Sequence, residues 1–225
     1  MSQSQRRQPV VFKGDLAELI ERALWIADSG PRRILGITGA PGSGKSTMAA
    51  ALAAGLGNRA AFVPMDGFHL ANRELIRLGR RDRKGAIDTF DGAGYVALIR
   101  RLRLADEPAV YAPEFRRDIE EAIAGSIAVP RETSLVITEG NYLLADQAPW
   151  NQLAQLLDQV WYVDPGEELR VARLVARHIA YGKEPAAAKA WALGTDQKNA
   201  DLIAATRIKA DLEIRTLDLV PSAGP

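Results

Sequence analysis

The chain contains no cysteine. Disulfide frameworks and thiolate-held zinc or iron–sulfur sites are therefore excluded. Histidine is scarce as well: only His69 and His178 occur, and neither belongs to a metal-binding spacing. No single sign of charge dominates, since 29 Lys and Arg against 28 Asp and Glu leave a formal net charge of +1. A dedicated nucleic-acid binder is usually strongly basic, so no nucleic-acid partner is expected. No apolar run approaches the length of a membrane span, and none follows Arg6 and Arg7 as a secretory signal would require. A cytoplasmic protein without a membrane partner is the simplest expectation.

With 225 residues, 47% hydrophobic and 25% charged, the chain suits one α/β domain with a sizeable core. Residues 1–10 are expected to form a flexible tail and residues 11–225 a single domain. Apolar residues from Asp15 to Ala27 follow helical spacing, and Ser29-Gly30-Pro31 stops the run. Short apolar strands are expected at Ile34 to Thr38, Ala60 to Met65, Leu135 to Thr138 and Val160 to Val163, with a last one at Asp211 to Arg215. Helices are expected at Lys45 to Leu56, from the N-cap Asp91 to Arg103, at Glu167 to Tyr181, at Glu184 to Leu193 and at Gln197 to Arg207. Val110 to Val129 fits neither period. Strands alternating with helices imply a parallel sheet covered on both faces.

Gly39-Ala40-Pro41-Gly42-Ser43-Gly44-Lys45-Ser46 fits the phosphate-loop pattern G-x-x-x-x-G-K-[S/T] in full. Glycines let backbone N–H groups curl around an anion without a Cβ in the way. The helix that begins at Lys45 and Ser46, and continues through Thr47, adds its N-terminal partial positive charge. Lys45 is expected at the β- and γ-phosphates of ATP, and the Ser46 hydroxyl on Mg²⁺. No N-K-x-D guanine-reading motif and no L-S-G-G-Q signature follow, which lowers the GTPase and transporter readings.

Three further features point to chemistry. Asp66 follows the second strand, where open parallel sheets place ligands, so its carboxylate could take the proton of an attacking hydroxyl. An Asp-Gly pair is also a common turn. Glu139 ends the most apolar strand; it either faces the phosphates or leaves the sheet for solvent. Arg170, Arg173 and Arg177 share one helical face, suited to spread phosphoryl charge or simply to solvation.

The strand followed by Asp66-Gly67-Phe68, beside this phosphate loop, resembles the uridine kinase, phosphoribulokinase and bacterial pantothenate kinase superfamily. Lys84-Gly85-Ala86-Ile87-Asp88-Thr89-Phe90-Asp91 is similar to a stretch of the pantothenate kinases, and the resemblance runs to about Ile203. It implies a three-layer α/β sandwich with a five-stranded parallel sheet, ordered second, third, first, fourth, fifth, and a helical lid at about residues 167–182. It also implies an ATP- and Mg²⁺-dependent kinase acting on a hydroxyl of a small molecule. Asp66 would be the base, Glu139 the metal-side acid contacting Mg²⁺ through water, and Arg173 and Arg177 the groups nearing the transferred phosphate. Asn199, in Asp196-Gln197-Lys198-Asn199, matches a residue near adenine, or else caps a helix. Tyr111, Phe115, Arg116 and Arg117 fall where the family contacts substrate, with packing and solvation as the plainer reading. The basic run Arg77, Arg80, Arg81, Arg83 and Lys84 either draws in an anionic substrate or is a solvated loop. His69 lies three residues past Asp66 and is a weaker candidate for the substrate side.

Two departures leave the acceptor open between nucleoside, sugar and pantothenate-like compounds. Leu174 stands at the position of the pantothenate kinases' lid tyrosine, and His178 where an acid commonly follows the last arginine of uridine kinases. A homodimer stays open, as does a different class of protein, an ATP-hydrolysing switch that answers to a protein partner.

Overall fold

The computed structural model describes residues 8–215. In chain order the elements are β1 (Val10–Phe12), α1 (Leu16–Asp28), β2 (Arg33–Thr38), α2 (Lys45–Leu56), β3 (Ala60–Pro64), α3 (Asn72–Arg77) and α4 (Gly92–Leu104). There follow β4 (Ala109–Arg116), β5 (Glu121–Pro130), β6 (Leu135–Glu139), β7 (Gln159–Val163), α5 (Glu167–Ala180), α6 (Pro185–Leu193), α7 (Thr195–Ala204) and β8 (Leu212–Ile214). Six of the strands form one parallel sheet in the order β1-β8-β7-β2-β6-β3.

The five expected strands stand in the expected order, but the sheet has six. Val10, placed by its sequence in a flexible tail, begins β1, which pairs in parallel with β8 along the sheet edge. Residues 1–7 of that expected tail lie outside the described residues. Three residues of edge strand leave too short a pattern to be read from spacing.

Both faces of the sheet are covered, which explains strands that read as unbroken apolar runs. Leu35, Ile37, Leu135, Ile137 and Trp161 pack against α1 and α2. Ile34, Val63, Val136 and Tyr162 face the opposite core, built from α4 with Tyr142 and Trp150. Local signals set the helix starts. The Asp15 carboxylate accepts from Glu18 N, and Glu18 returns a bond to Asp15 N, closing a capping box on α1. Asp91 caps α4 as expected, accepting from Gly94 N at 2.8 Å.

The segment Val110 to Val129, which fitted neither period, is an antiparallel hairpin of β4 and β5 set apart from the main sheet. A register shift between Ala112 and Glu114 breaks its alternation, and much of its outer face is exposed. A two-residue period cannot survive both.

Register is what makes the site. Glu139, the last residue of β6, lies opposite Ile37 of β2 and Pro64 of β3. The phosphate loop after β2, Asp66 after β3 and Glu139 therefore emerge at one level on one sheet edge.

At the far end of β2, Arg32 ties three segments together. Its guanidinium, 8% exposed with the rest of the residue, donates to the carbonyls of Thr133 and Leu102, each at 3.0 Å, and to that of Pro130. Arg32→Met would leave these acceptors unpaired, so we expect a loss of about 3 kcal/mol. Urea unfolding measures this. A change below about 0.5 kcal/mol, the range of ordinary surface substitutions, would remove the structural role assigned to this residue.

Candidate active site

The phosphate loop curls between β2 and α2. Gly42 and Gly44 have φ of +85° and +91°, a region that side-chain-bearing residues rarely enter. A Cβ on Gly42 would also stand 2.5 Å from the Arg170 carbonyl, so glycine alone lets α5 rest on the loop. Arg170 fixes that contact. It is 3% exposed, donates to the Pro41 carbonyl at 3.2 Å and pairs with Glu167 and Gln197. His178 adds a second tie from α5 to α7, its Nε2 lying 2.7 Å from the Asp196 carboxylate.

Beside the loop opens a cavity of about 400 Å³. Pro41, Lys45 and Ser46 line it, as do Asp66, Arg177 and Asn199. Gly39, Ala40, Gly42, Ser43 and Gly44 form the loop itself, while Thr47 is exposed in the first turn of α2 and does not line the cavity. Glu139 is 3% exposed, so it does not leave the sheet for solvent. The Ser46 hydroxyl is within hydrogen-bonding reach of its carboxylate, yet Oε2 has no partner among the described residues. Asn199 sits inside α7, which removes the helix-cap reading. Arg173 is exposed and lies off the cavity, with Nη1 3.3 Å from where a Gly44 Cβ would be.

Glu139 does not itself line the cavity, but the buried groups next to the loop are electrostatically strained. Burial pushes the Glu139 carboxyl up to about 7, against the pull of Lys45, and nearby Asp66 raises it further. Burial likewise pulls the Lys45 ammonium below its ordinary value, while Glu139 and Asp66 oppose that. Burial, then Arg117, works against the charge on Arg177.

Arg117 is where the structure goes furthest beyond the sequence reading. It follows β4 and donates to Asp66 Oδ2 at 3.2 Å. A Cβ on Gly67 would stand 2.4 Å from the Pro113 carbonyl, so glycine beside Asp66 is what lets the hairpin cross this close. The Asp-Gly pair thus serves the approach of a strand, a signal legible only once the hairpin is known. Phe115 also lines the cavity, but Tyr111 is 59% exposed on the hairpin and Arg116 pairs outward with Asp118 at 2.6 Å. His69 lines the cavity too. Its Nδ1 lies 2.8 Å from the Asp66 carbonyl, which can only accept, so Nδ1 carries the proton and a neutral ring offers Nε2 as an acceptor.

The model of the phosphoribulokinase / uridine kinase family matches residues 34–218. The chain belongs to this family. It is 38% identical over 153 residues to the ATP-dependent kinase-like protein notR' of Aspergillus versicolor, covering 64% of this chain and 89% of that one. It is 33% identical over 174 residues to C227.14 of Schizosaccharomyces pombe, a protein assigned as a uridine kinase, covering 73% of this chain and 74% of that one. A solved structure from Silicibacter sp. TM1040, of a kinase assigned to a fructose transport system, superposes with a TM-score of 0.82 at 40% identity, covering 89% of this chain and 99% of the other. Kinase-named relatives with three different assignments agree on phosphoryl transfer and leave the acceptor undecided.

The buried carboxylate of this family member makes stability depend on pH. A free glutamate ionises near 4.3, so between roughly pH 4.5 and 7 the unfolded chain releases a proton that Glu139 keeps in the fold, and the fold loses stability as the pH rises. Glu139→Gln lacks that loss. Its stability relative to the parent should therefore rise across this interval and level off above about 7, as read by urea unfolding from roughly pH 5 to 8. A difference constant across that range would contradict a buried, titrating carboxylate.

Proposed function

We propose that this protein is an ATP- and Mg²⁺-dependent kinase that transfers the γ-phosphate to a hydroxyl of a small molecule. One observation carries the reading: Asp66 lines the same cavity as Lys45 and Ser46, so a proton acceptor and a phosphate cradle face one enclosed space.

The triphosphate rests on the N–H groups of the Gly39–Ser46 loop, with Lys45, Arg173 and Arg177 countering its charge. Ser46 and Glu139 would hold magnesium; a hydroxyl, and a buried carboxylate oxygen with no partner among the described residues, suit a hard cation that takes oxygen ligands. When bound, the ion would offset phosphate charge. Arg117 keeps Asp66 oriented. The acceptor hydroxyl gives its proton to Asp66 as its oxygen bonds to the γ-phosphorus. The bond from that phosphorus to the bridging oxygen of ADP breaks, and ADP departs with the electron pair. Asn199 and the indole of Trp191, both lining the lid side, suit the adenine end.

ADP formation with a panel of nucleosides, sugars and pantothenate tests the reading. Asp66→Asn should lower acceptor-dependent turnover by about 10²–10⁴, far more than it alters ATP affinity. Indifference to every hydroxyl compound, together with stimulation by a protein, would favour a regulatory switch instead.

Lys45→Ala addresses the cradle separately. ATP affinity should fall by roughly tenfold or more, the worth of a charge-assisted contact, while the thermal midpoint moves little. Calorimetric titration checks it, and unchanged affinity would sink the loop assignment.

A further inference from the structure

The basic run that the sequence left undecided divides in two in the structure. Arg77 pairs with Glu74 at 2.6 Å, and Arg80 and Arg83 both pair with Asp88. Those three are neutralised within their own segment. Arg81 and Lys84 instead line the cavity.

Their position is on the acceptor side, not the nucleotide side. Both belong to the segment after α3, and the wall facing them is the hairpin that carries Phe115 and Arg117. The Lys84 ammonium donates to Asn72 Oδ1 at 2.9 Å and to the Glu120 carbonyl at 2.6 Å, and lies 4.9 Å from the centre of the Phe115 ring. Its nearest carboxylate, Glu120, is 3.9 Å away. Among the described residues the Arg81 guanidinium has no hydrogen bond and no ion pair. Burial makes the Lys84 ammonium easier to deprotonate, Glu120 and Glu121 oppose that, and Arg81, three residues away, adds a smaller push in the same direction as burial. Two cations held together against one another, one of them unpaired, call for an anion.

Asp66 does not fill that role, because Arg117 already holds it. The triphosphate does not either, since Lys45 and Arg177 in the cavity, and Arg173 over the loop outside it, already answer its charge in the reading above. We propose that the acceptor carries a carboxylate or a phosphate of its own, bound by Arg81 with support from Lys84, while its carbon skeleton lies on the rings of Phe115 and His69. The two rings are 4.7 Å apart and form one continuous wall. Such an anchor, away from Asp66, leaves a hydroxyl of the same molecule free to face the base. This proposal rests on the kinase reading above and narrows it from any hydroxyl compound to an anionic one.

Matched pairs that differ only in charge test it: glycerate against glycerol, pantothenate against panthenol, and ribose 5-phosphate against ribose. ADP release gives kcat/KM for each. Calorimetric titration into protein holding ADP and Mg²⁺ gives the affinity of each compound without turnover. In at least one pair the anionic member should exceed its neutral partner by roughly tenfold or more in both readouts. Which pair responds tells carboxylate from phosphate. Arg81→Gln should erase that gap and Arg81→Lys should keep part of it; Arg81 is exposed and has no partner among the described residues whose loss would unfold the chain. Neutral members that match their anionic partners, or a gap that survives Arg81→Gln, would overturn the proposal and leave the kinase intact. If no compound raises ADP release above the rate without acceptor, the kinase reading falls, and this proposal with it.

Discussion

Three parallel strands that end at the same level are the constraint on which the site depends. Because Glu139 pairs across to both Ile37 and Pro64, the phosphate loop, Asp66 and Glu139 have no choice but to share one edge. The result sets the buried Glu139 carboxylate near Asp66, an arrangement that costs free energy unless other charges answer it. Lys45 and Arg117 offset part of it, one from the loop and one from the hairpin. The residual strain is visible in the Glu139 carboxyl, pushed up to about 7. A site in this condition is stabilised by whatever brings compensating positive charge, as the cation proposed for Ser46 and Glu139 would.

Much of this was legible in the sequence, and the reasons are specific. The loop and its helix read cleanly because each residue from Gly39 to Ser46 answers to a backbone or charge requirement, and α2 runs from Lys45 to Leu56 as its composition predicts. The strands read cleanly because both faces are buried, so their apolar runs carry no ambiguity about facing. Strand ends made Asp66 and Glu139 candidates, each with a plainer alternative, and the family resemblance supplied their expected roles. The family resemblance added the order of the strands, which no local pattern contains.

What stayed hidden depends on contacts between segments distant in sequence. Arg117 meets Asp66 across 51 positions, and only because Gly67 lets the hairpin pass. Arg170 shared its helical face with Arg173 and Arg177, so spacing gave all three one role. The fold separates them: Arg170 is spent anchoring α5 to the loop, Arg173 lies over the loop's surface, and Arg177 alone enters the cavity. A helical period reports which residues share a face, not what that face meets. The same limit applied to the basic run, whose members are alike in sequence and differ only in whether a carboxylate waits nearby.

That difference bears on how one fold can serve several acceptors. The nucleotide half of the cavity is built from the loop and the helix docked on it, where backbone geometry leaves little room for variation. The acceptor half is built from a bulged hairpin and a segment of short turns, tied to each other through Asn72, Lys84 and Glu121. Side chains there are held by a few polar contacts rather than by a packed core, so exchanging them disturbs neither the sheet nor the phosphate cradle. A charge such as Arg81 can be present without local neutralisation because only the ligand needs to answer it. In this architecture the proposed catalytic groups follow from strand register, whereas the proposed choice of acceptor rests on residues that the register does not constrain.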